Sequence, residues 1–223
     1  HRNLLATADS RAQFTYFLDV VKEGDHFIQN EAIQTKEGTE AGSFLRMLEH
    51  VEKLDLHPDT IVYFLEDDYI HRPGWVGILL EGFSTQADYV TLYDHSDKYT
   101  AYPELQSKIF VTPSCHWRTT PSTTNTYAMR FSTLKQDLAI HRRFSTGRKI
   151  SADHQKFCYL GKKGAMLISS IPGWSTHADP AFISPCINWD FLEEPISSWK
   201  NTLVIRPVPA KFFDPACLFS CPS

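Results

Sequence analysis

Apolar positions along this chain fall into short blocks separated by polar, glycine- and proline-marked breaks, and the periods inside the blocks predict alternating helices and strands. Ile61 to Leu65 is an unbroken run of β-branched, aromatic and aliphatic residues, which predicts a strand buried on both faces. Asp88 to Tyr93 is another apolar, β-branched strand, and Ala165 to Ile171 is also read as a strand. Lys108 to Thr112 and Ser122 to Met129 read as a strand pair, with His116-Trp117-Arg118 in the connection. Helical spacing runs through Ser43 to Leu54, where Phe44, Leu48 and Val51 share a stripe, and through Trp75 to Phe83, with Pro73 near its start. Thr133 and Gln136 form a capping-box pair for a helix through Ile140, and Ser151 is read as the cap of a helix from Ala152 to Leu160. Residues 1–35 carry no decisive pattern: Phe14, Phe17, Leu18 and Val21 recur at helical spacing over 11–21, and a strand follows from His26 to Ile33. From Pro180 to Ser223 no period is visible, which predicts an irregular tail wrapping the domain.

Strand–helix alternation points to an α/β fold with a mostly parallel central sheet plus antiparallel additions. At 223 residues the chain suits a single domain spanning 1–223. With 42% hydrophobic and 22% charged residues it can fill a core, which excludes a disordered chain. A net charge of -4, with no basic cluster beyond His141-Arg142-Arg143, argues against a nucleic-acid partner. No apolar stretch approaches the roughly 20 residues of a membrane span. Cys115, Cys158, Cys186, Cys217 and Cys221 are odd in number and dispersed, which favours free thiols and a cytoplasmic location. The chain opens on His1 with no leader, so the alternative location is the Golgi lumen, for a catalytic domain cut from its anchor. Cys217 and Cys221 alone are a weak zinc signal.

Candidate chemistry begins where the first strand stops, at Glu66-Asp67-Asp68. Ligands of open α/β sheets bind beyond the carboxyl ends of strands, and three adjacent carboxylates repel unless a cation or proton relieves them. Hard oxygen ligands suit Mg²⁺ or Mn²⁺, and a neutral imidazole at His177 suits Mn²⁺ better. A solvated acidic turn is the plain alternative. Asp153 falls in the first turn of a predicted helix, where the dipole favours an ionised carboxylate able to take a proton from a hydroxyl. Its plain alternative is a surface acid at a helix start. Tyr93, His95, Tyr99, His116 and Trp117 combine flat rings with polar tips, as walls for sugar or base rings do, although core packing explains most tryptophans. Neither a Gly-rich phosphate loop nor a Gly-x-Ser-x-Gly elbow is present.

Tyr63-Phe-Leu-Glu66-Asp67-Asp68-Tyr69 ending a strand resembles the acidic metal motif of glycosyltransferases with the A-type (GT-A), Rossmann-like nucleotide-sugar-binding fold. His71-Arg-Pro-Gly-Trp75, Tyr89-Val-Thr-Leu-Tyr-Asp-His95 with Asp97-Lys-Tyr99, His116-Trp-Arg118, Ser122-Thr-Thr-Asn-Thr126, Asp153-His154 and Ser175-Thr-His177 resemble a bacterial and large-virus branch of it. The likeness spans about residues 39–190. It implies that Asp68, with Glu66 or Asp67, binds Mn²⁺ or Mg²⁺ carrying the donor diphosphate. It further implies that His177 is a further metal ligand and that Asp153 is the base of an enzyme inverting the anomeric centre. Asp67, Asp94, His95 and Lys98 are then expected to contact the UDP- or GDP-type sugar donor. Tyr99, His116, Trp117, Thr124 and His154 are expected to wall the site for a glycan or other hydroxyl acceptor. Two departures stand out: Glu66-Asp67-Asp68 replaces the usual Asp-x-Asp, and the opening base-holding strand is not placed before residue 11, so it is either missing from this sequence or hidden in the stretch read as a helix. The resulting expectation is a metal-dependent, inverting hexosyl- or deoxyhexosyltransferase. A metal-dependent phosphohydrolase and a non-catalytic carbohydrate-binding module are the alternatives.

Overall fold

The computed structural model describes residues 7–9, 11–18, 31–66, 68–189 and 202–206. It is a mixed α/β structure in which a nine-stranded sheet is packed by helices on both faces. In chain order the elements begin with β1 (Gln13–Leu18), β2 (Glu31–Gln34), α1 (Glu40–Glu52), β3 (Ile61–Leu65), β4 (Tyr69–His71) and α2 (Trp75–Gly82). Next come β5 (Tyr89–Thr91), a single turn α3 (Asp97–Thr100), β6 (Ile109–Val111), β7 (His116–Thr119) and β8 (Tyr127–Arg130). The last are α4 (Phe131–Arg143), α5 (Asp153–Lys162), β9 (Leu167–Ile171), β10 (Ser175–His177) and β11 (Thr202–Arg206). The main sheet runs β2-β1-β11-β3-β8-β5-β9-β7-β6, and β4 with β10 forms a separate antiparallel ribbon.

β3 is buried along its whole length, as its continuous apolar run predicts. Its alternate residues feed two cores: Ile61, Tyr63 and Leu65 pack with Trp75, Val76 and Leu79 of α2. Val62 and Phe64 pack on the opposite face with Phe44, Leu48, Leu134 and Phe157 of α1, α4 and α5. α1 is capped by Thr39, whose Oγ1 accepts the Gly42 N–H at 3.1 Å.

Several expectations are corrected. The sheet is not mostly parallel between neighbours: among the described strands, β1–β2 and β5–β9 alone pair in parallel. The other pairings are antiparallel, because β11 and β8 interleave between strands that themselves run the same way. Residues 13–18 form strand β1 rather than part of a helix. A spacing of three puts Phe14 and Phe17 on one helix face but on opposite faces of a strand, and both sheet faces here are apolar, so each ring enters a different core. Lys108–Thr112 and Ser122–Met129 are not partners: β6 pairs with β7, which contains His116-Trp117-Arg118, while β8 pairs with β3 and β5. The tail is not wholly irregular, since β11 lies between β1 and β3. Neither predicted side-chain cap forms. The first N–H groups of α4 are taken by carbonyls of the turn before β3, Phe131 N–H by Thr60 O at 2.8 Å and Ser132 N–H by Pro58 O at 2.9 Å. Ser151 does not cap α5, and its Oγ meets Ser145 Oγ at 2.9 Å.

No helix among the described residues is long and apolar enough to cross a membrane. Cys115, Cys158 and Cys186 are free, while Cys217 and Cys221 lie outside the described residues.

Candidate functional site

β3, β5 and β9 run in one direction and β8 and β7 against them, so a single sheet edge collects the chemistry-bearing loops. Glu66 and Asp68 follow β3, Tyr93 to Lys98 follow β5, Thr123 to Thr126 precede β8, and His116 begins β7. The β4–β10 ribbon sits against this edge, and its register places His177 opposite Tyr69, one residue from the acids. Ala178 N–H donates to Asp68 O at 2.7 Å, which holds the two segments together.

His177 Nε2 lies 3.2 Å from Asp68 Oδ2. His177 Nδ1 accepts the Asp179 N–H at 3.0 Å, so the neutral ring carries its proton on Nε2 and donates it to Asp68. That hydrogen bond, opposed by burial, raises the His177 pKa above its ordinary value. Asp68 Oδ1 is buried and has no hydrogen-bond partner among the described residues. A carboxylate oxygen in that state fits a cation. His177 fits less directly, because a cation on Nε2 drives the ring proton to Nδ1 and breaks the bond from Asp179. Glu66 is close enough for its charge to add to the burial that raises the Tyr69 pKa. Among the described residues no group of three or more His, Cys, Asp or Glu is arranged to hold a metal ion. Asp67 lies outside the described residues.

Tyr93 joins the two acidic loops: its ring meets Tyr69, its hydroxyl donates to Phe182 O at 2.6 Å, and the charges of Asp97, Asp94 and Asp68 add to the burial that raises its pKa. Phe182 in turn touches both His95 and His177, with ring centroids 5.9 and 5.5 Å away. Asp94 is fully buried and already satisfied, accepting from Arg118 Nη2 at 2.5 Å and from Tyr99 OH at 2.6 Å. Burial raises its pKa against the pull of both partners. Lys98 is committed to Asp97 at 2.7 Å, and His95 Nδ1 accepts the Asp97 N–H at 3.0 Å. Asp94 and Lys98 therefore shape this wall through internal pairs. Arg118, stacked 4.8 Å from the Tyr99 ring centroid, keeps a buried Nε without a partner among the described residues.

Asp153 opens α5, and its Oδ1 accepts from Lys156 Nζ at 2.7 Å, one turn along the helix. The Asp153 side chain keeps 15% exposure, whereas Lys156 has none. Burial raises the Asp153 pKa and the Lys156 charge opposes the rise. Glu40 of α1 closes the cluster, with its carboxylate accepting from Asn125 Nδ2 and from the Ser151 N–H. Burial is also the first cause of the raised Glu40 pKa.

No protein-family model, curated protein or solved structure matches this chain. The grouping of residues therefore rests on this geometry alone. The link between the two carboxylates is the segment before β8: Thr124 Oγ1 meets Tyr69 OH at 2.5 Å, Tyr69 packs on His177, and the next residue, Asn125, contacts Lys156 and Glu40. Asp68, His177, Asp94, His95, Thr124 and Asp153 thus share one edge.

The remaining expected residues divide. Tyr99 is 47% exposed on the wall, and His116 is exposed at the start of β7. Trp117 is corrected to a core residue: it is fully buried, its ring lies against Gly82, and its Nε1 donates to Thr112 Oγ1 at 2.9 Å. His154 is exposed and lies 3.5 Å from Cys158 Sγ, one turn along α5. Lys156, Glu40 and Phe182 were missed by sequence reasoning. Only Lys156 had a signal, its i,i+3 spacing from Asp153.

Proposed function

We propose that this protein is a metal-dependent, inverting glycosyltransferase with the A-type nucleotide-sugar-binding arrangement, moving a hexosyl or deoxyhexosyl group from a UDP- or GDP-type donor to an acceptor hydroxyl. The observation that carries the reading is a pair of buried, unpaired atoms on two oppositely charged side chains at one edge. Among the described residues, Asp68 Oδ1 and Arg118 Nε are the buried atoms of Asp, Glu, Lys or Arg side chains that lack a hydrogen-bond partner. Leaving such atoms unpaired is unfavourable, and a ligand bearing both a cation and an anionic group satisfies both.

In this reading Asp68, with Glu66 or Asp67, and His177 would hold Mn²⁺ or Mg²⁺, which supplies charge neutralisation for a diphosphate leaving group. Arg118 Nε donates to a phosphate oxygen, its planar head already fixed by Asp94 and Tyr99. Asp153 takes the proton of the acceptor hydroxyl through the oxygen not bound to Lys156, and the hydroxyl oxygen attacks the anomeric carbon opposite the departing diphosphate. Exposed Tyr99 and His116 offer the acceptor a ring-lined wall.

Thermal-shift titration with UDP- and GDP-sugars, with and without Mn²⁺, tests the reading: a rise in melting temperature that needs both nucleotide and cation is expected. No response to any nucleotide would leave a carbohydrate-binding module in its place. Phosphate release from simple esters without an acceptor would favour a phosphohydrolase. Asp153→Asn is expected to keep donor binding and to lower transfer by about 10²–10⁴-fold.

A further inference from the structure

Behind Asp153 a line of buried polar side chains crosses from α5 through β8 and α4 to β5. Lys156 Nζ has three protons and three acceptors: Asp153 Oδ1 at 2.7 Å, Tyr127 OH at 2.9 Å and Asn125 Oδ1 at 3.3 Å. No proton is left over for a substrate. The rings of Tyr127, Phe44 and Phe157 enclose the ammonium, with centroids 4.6, 4.8 and 5.3 Å away.

Every later donor in the line follows from that first one. Tyr127 accepts from Lys156, so its own proton goes to His141 Nδ1 at 3.1 Å. His141 therefore carries its ring proton on Nε2, 3.3 Å from the Tyr89 oxygen, and Tyr89 OH donates to Asp137 Oδ2 at 2.7 Å. Burial, followed by the Lys156 charge, lowers the His141 pKa well below its ordinary value, in keeping with a neutral ring. All the hydrogen bonds point from Lys156 toward Asp137, so the hydroxyls have one satisfied arrangement. On the other side Asn125 donates to Glu40, which also accepts the Ser151 N–H, two residues before Asp153.

We propose that Lys156 is the positioning residue of this site: anchored by Tyr127 and Asn125, its ammonium pins Asp153 Oδ1 and so turns Oδ2 to the crevice as the oxygen that receives the acceptor proton. The proposal rests on Asp153 being the base. A carboxylate at a helix start otherwise rotates about two torsions, and a base must hold its oxygen within hydrogen-bond reach of the hydroxyl. Among the described residues the charged groups facing Asp153 are Lys156 from its own helix and Glu40 from α1, and the Tyr127 hydroxyl of β8 faces it as a neutral dipole.

The test is a carbon-detected NMR titration of the Asp153 carboxyl, assigned by its loss in Asp153→Asn, paired with transfer kinetics. In Lys156→Met the titration midpoint is expected to rise by about one pH unit or more. kcat is expected to fall about tenfold or more, with the donor KM within about twofold. Lys156→Arg keeps the charge but cannot supply three donors from one atom, so its midpoint stays near wild type while kcat falls. Tyr127→Phe, the variant least disruptive to folding, leaves the ion pair and loosens the ammonium, with a kcat loss of about threefold or more. An unchanged Asp153 midpoint in Lys156→Met, or full kcat in Lys156→Arg and Tyr127→Phe, would overturn the proposal. The NMR titration needs no turnover, so a wild type that transfers nothing would sink the glycosyltransferase reading and leave the pinning of Asp153 to be decided by the midpoint.

Discussion

Two carboxylates at the same sheet edge are held in opposite ways. Asp68 is 43% exposed, leans on one imidazole at 3.2 Å and keeps a buried oxygen without a partner among the described residues. Asp153 is 15% exposed and bound at 2.7 Å to a lysine whose three protons are all taken. A charge left partly unsatisfied is receptive to a ligand, whereas one locked in a filled network is fixed in place before any ligand arrives. The contrast suits a division of labour, with one carboxylate gripping the donor through a cation and the other aimed at the acceptor.

The largest expected effect on stability breaks the locked side. Lys156→Met leaves Asp153 without its buried partner and is expected to cost about 3–5 kcal/mol in urea denaturation. A cost under about 1 kcal/mol would mean that water reaches the pair and that the network is not locked. Tyr127→Phe removes one hydroxyl and leaves His141 Nδ1 buried without a donor, for an expected loss of about 1–3 kcal/mol. At the other region Asp68→Asn is expected to change stability by no more than about 1 kcal/mol in a chelator-containing buffer, as partly exposed pairs do. The same variant is expected to abolish metal-dependent turnover, and full activity would remove Asp68 from the site.

The smallest effect is a difference in pH window. Both Asp153 and His177 have raised pKa values, so in each case the folded state binds the proton more tightly than the unfolded chain. Stability therefore falls as pH rises through each window. For Asp153 the cause is burial: the penalty on its ionised form is absent below the unfolded value of 3.8 and complete above the folded one. For His177 the first cause is the bond to Asp68: the stabilisation is full below the unfolded value of 6.5 and is lost as pH rises through the folded one. Urea midpoints across acid to mildly alkaline pH are expected to show Asp153→Asn flattening the acid window and Asp68→Asn the neutral one. A single shared window for both variants would collapse the distinction between the two regions.

Much of the framework was legible from local pattern. The β3 run and the acids that follow it, the stripe of α1, and the strand ending before Asp94 all follow from residue type and period. Phe14 and Phe17 misled because a strand buried on both faces imitates helical spacing when sampled every third residue. β11 was hidden because five residues are too few to show a period within a proline- and aromatic-rich tail. The polar caps of α4 and α5 failed because α4 starts at Phe131, which puts Thr133 inside the helix, and because the Ser151 hydroxyl pairs with Ser145 Oγ instead of an N–H of α5.

The sequence by itself determined that acids stand at the end of a buried strand and that Asp153 stands in the first turn of a helix. Only the tertiary structure decided which charges lost water and to whom they turned. It seated Lys156 under three aromatic rings beside Asp153, set His177 against Asp68 through the β4–β10 ribbon, and removed Trp117 from the wall to the core. A charge's partners depend on what packs over it from distant parts of the chain, and desolvation is a property of that packing and not of spacing along the backbone.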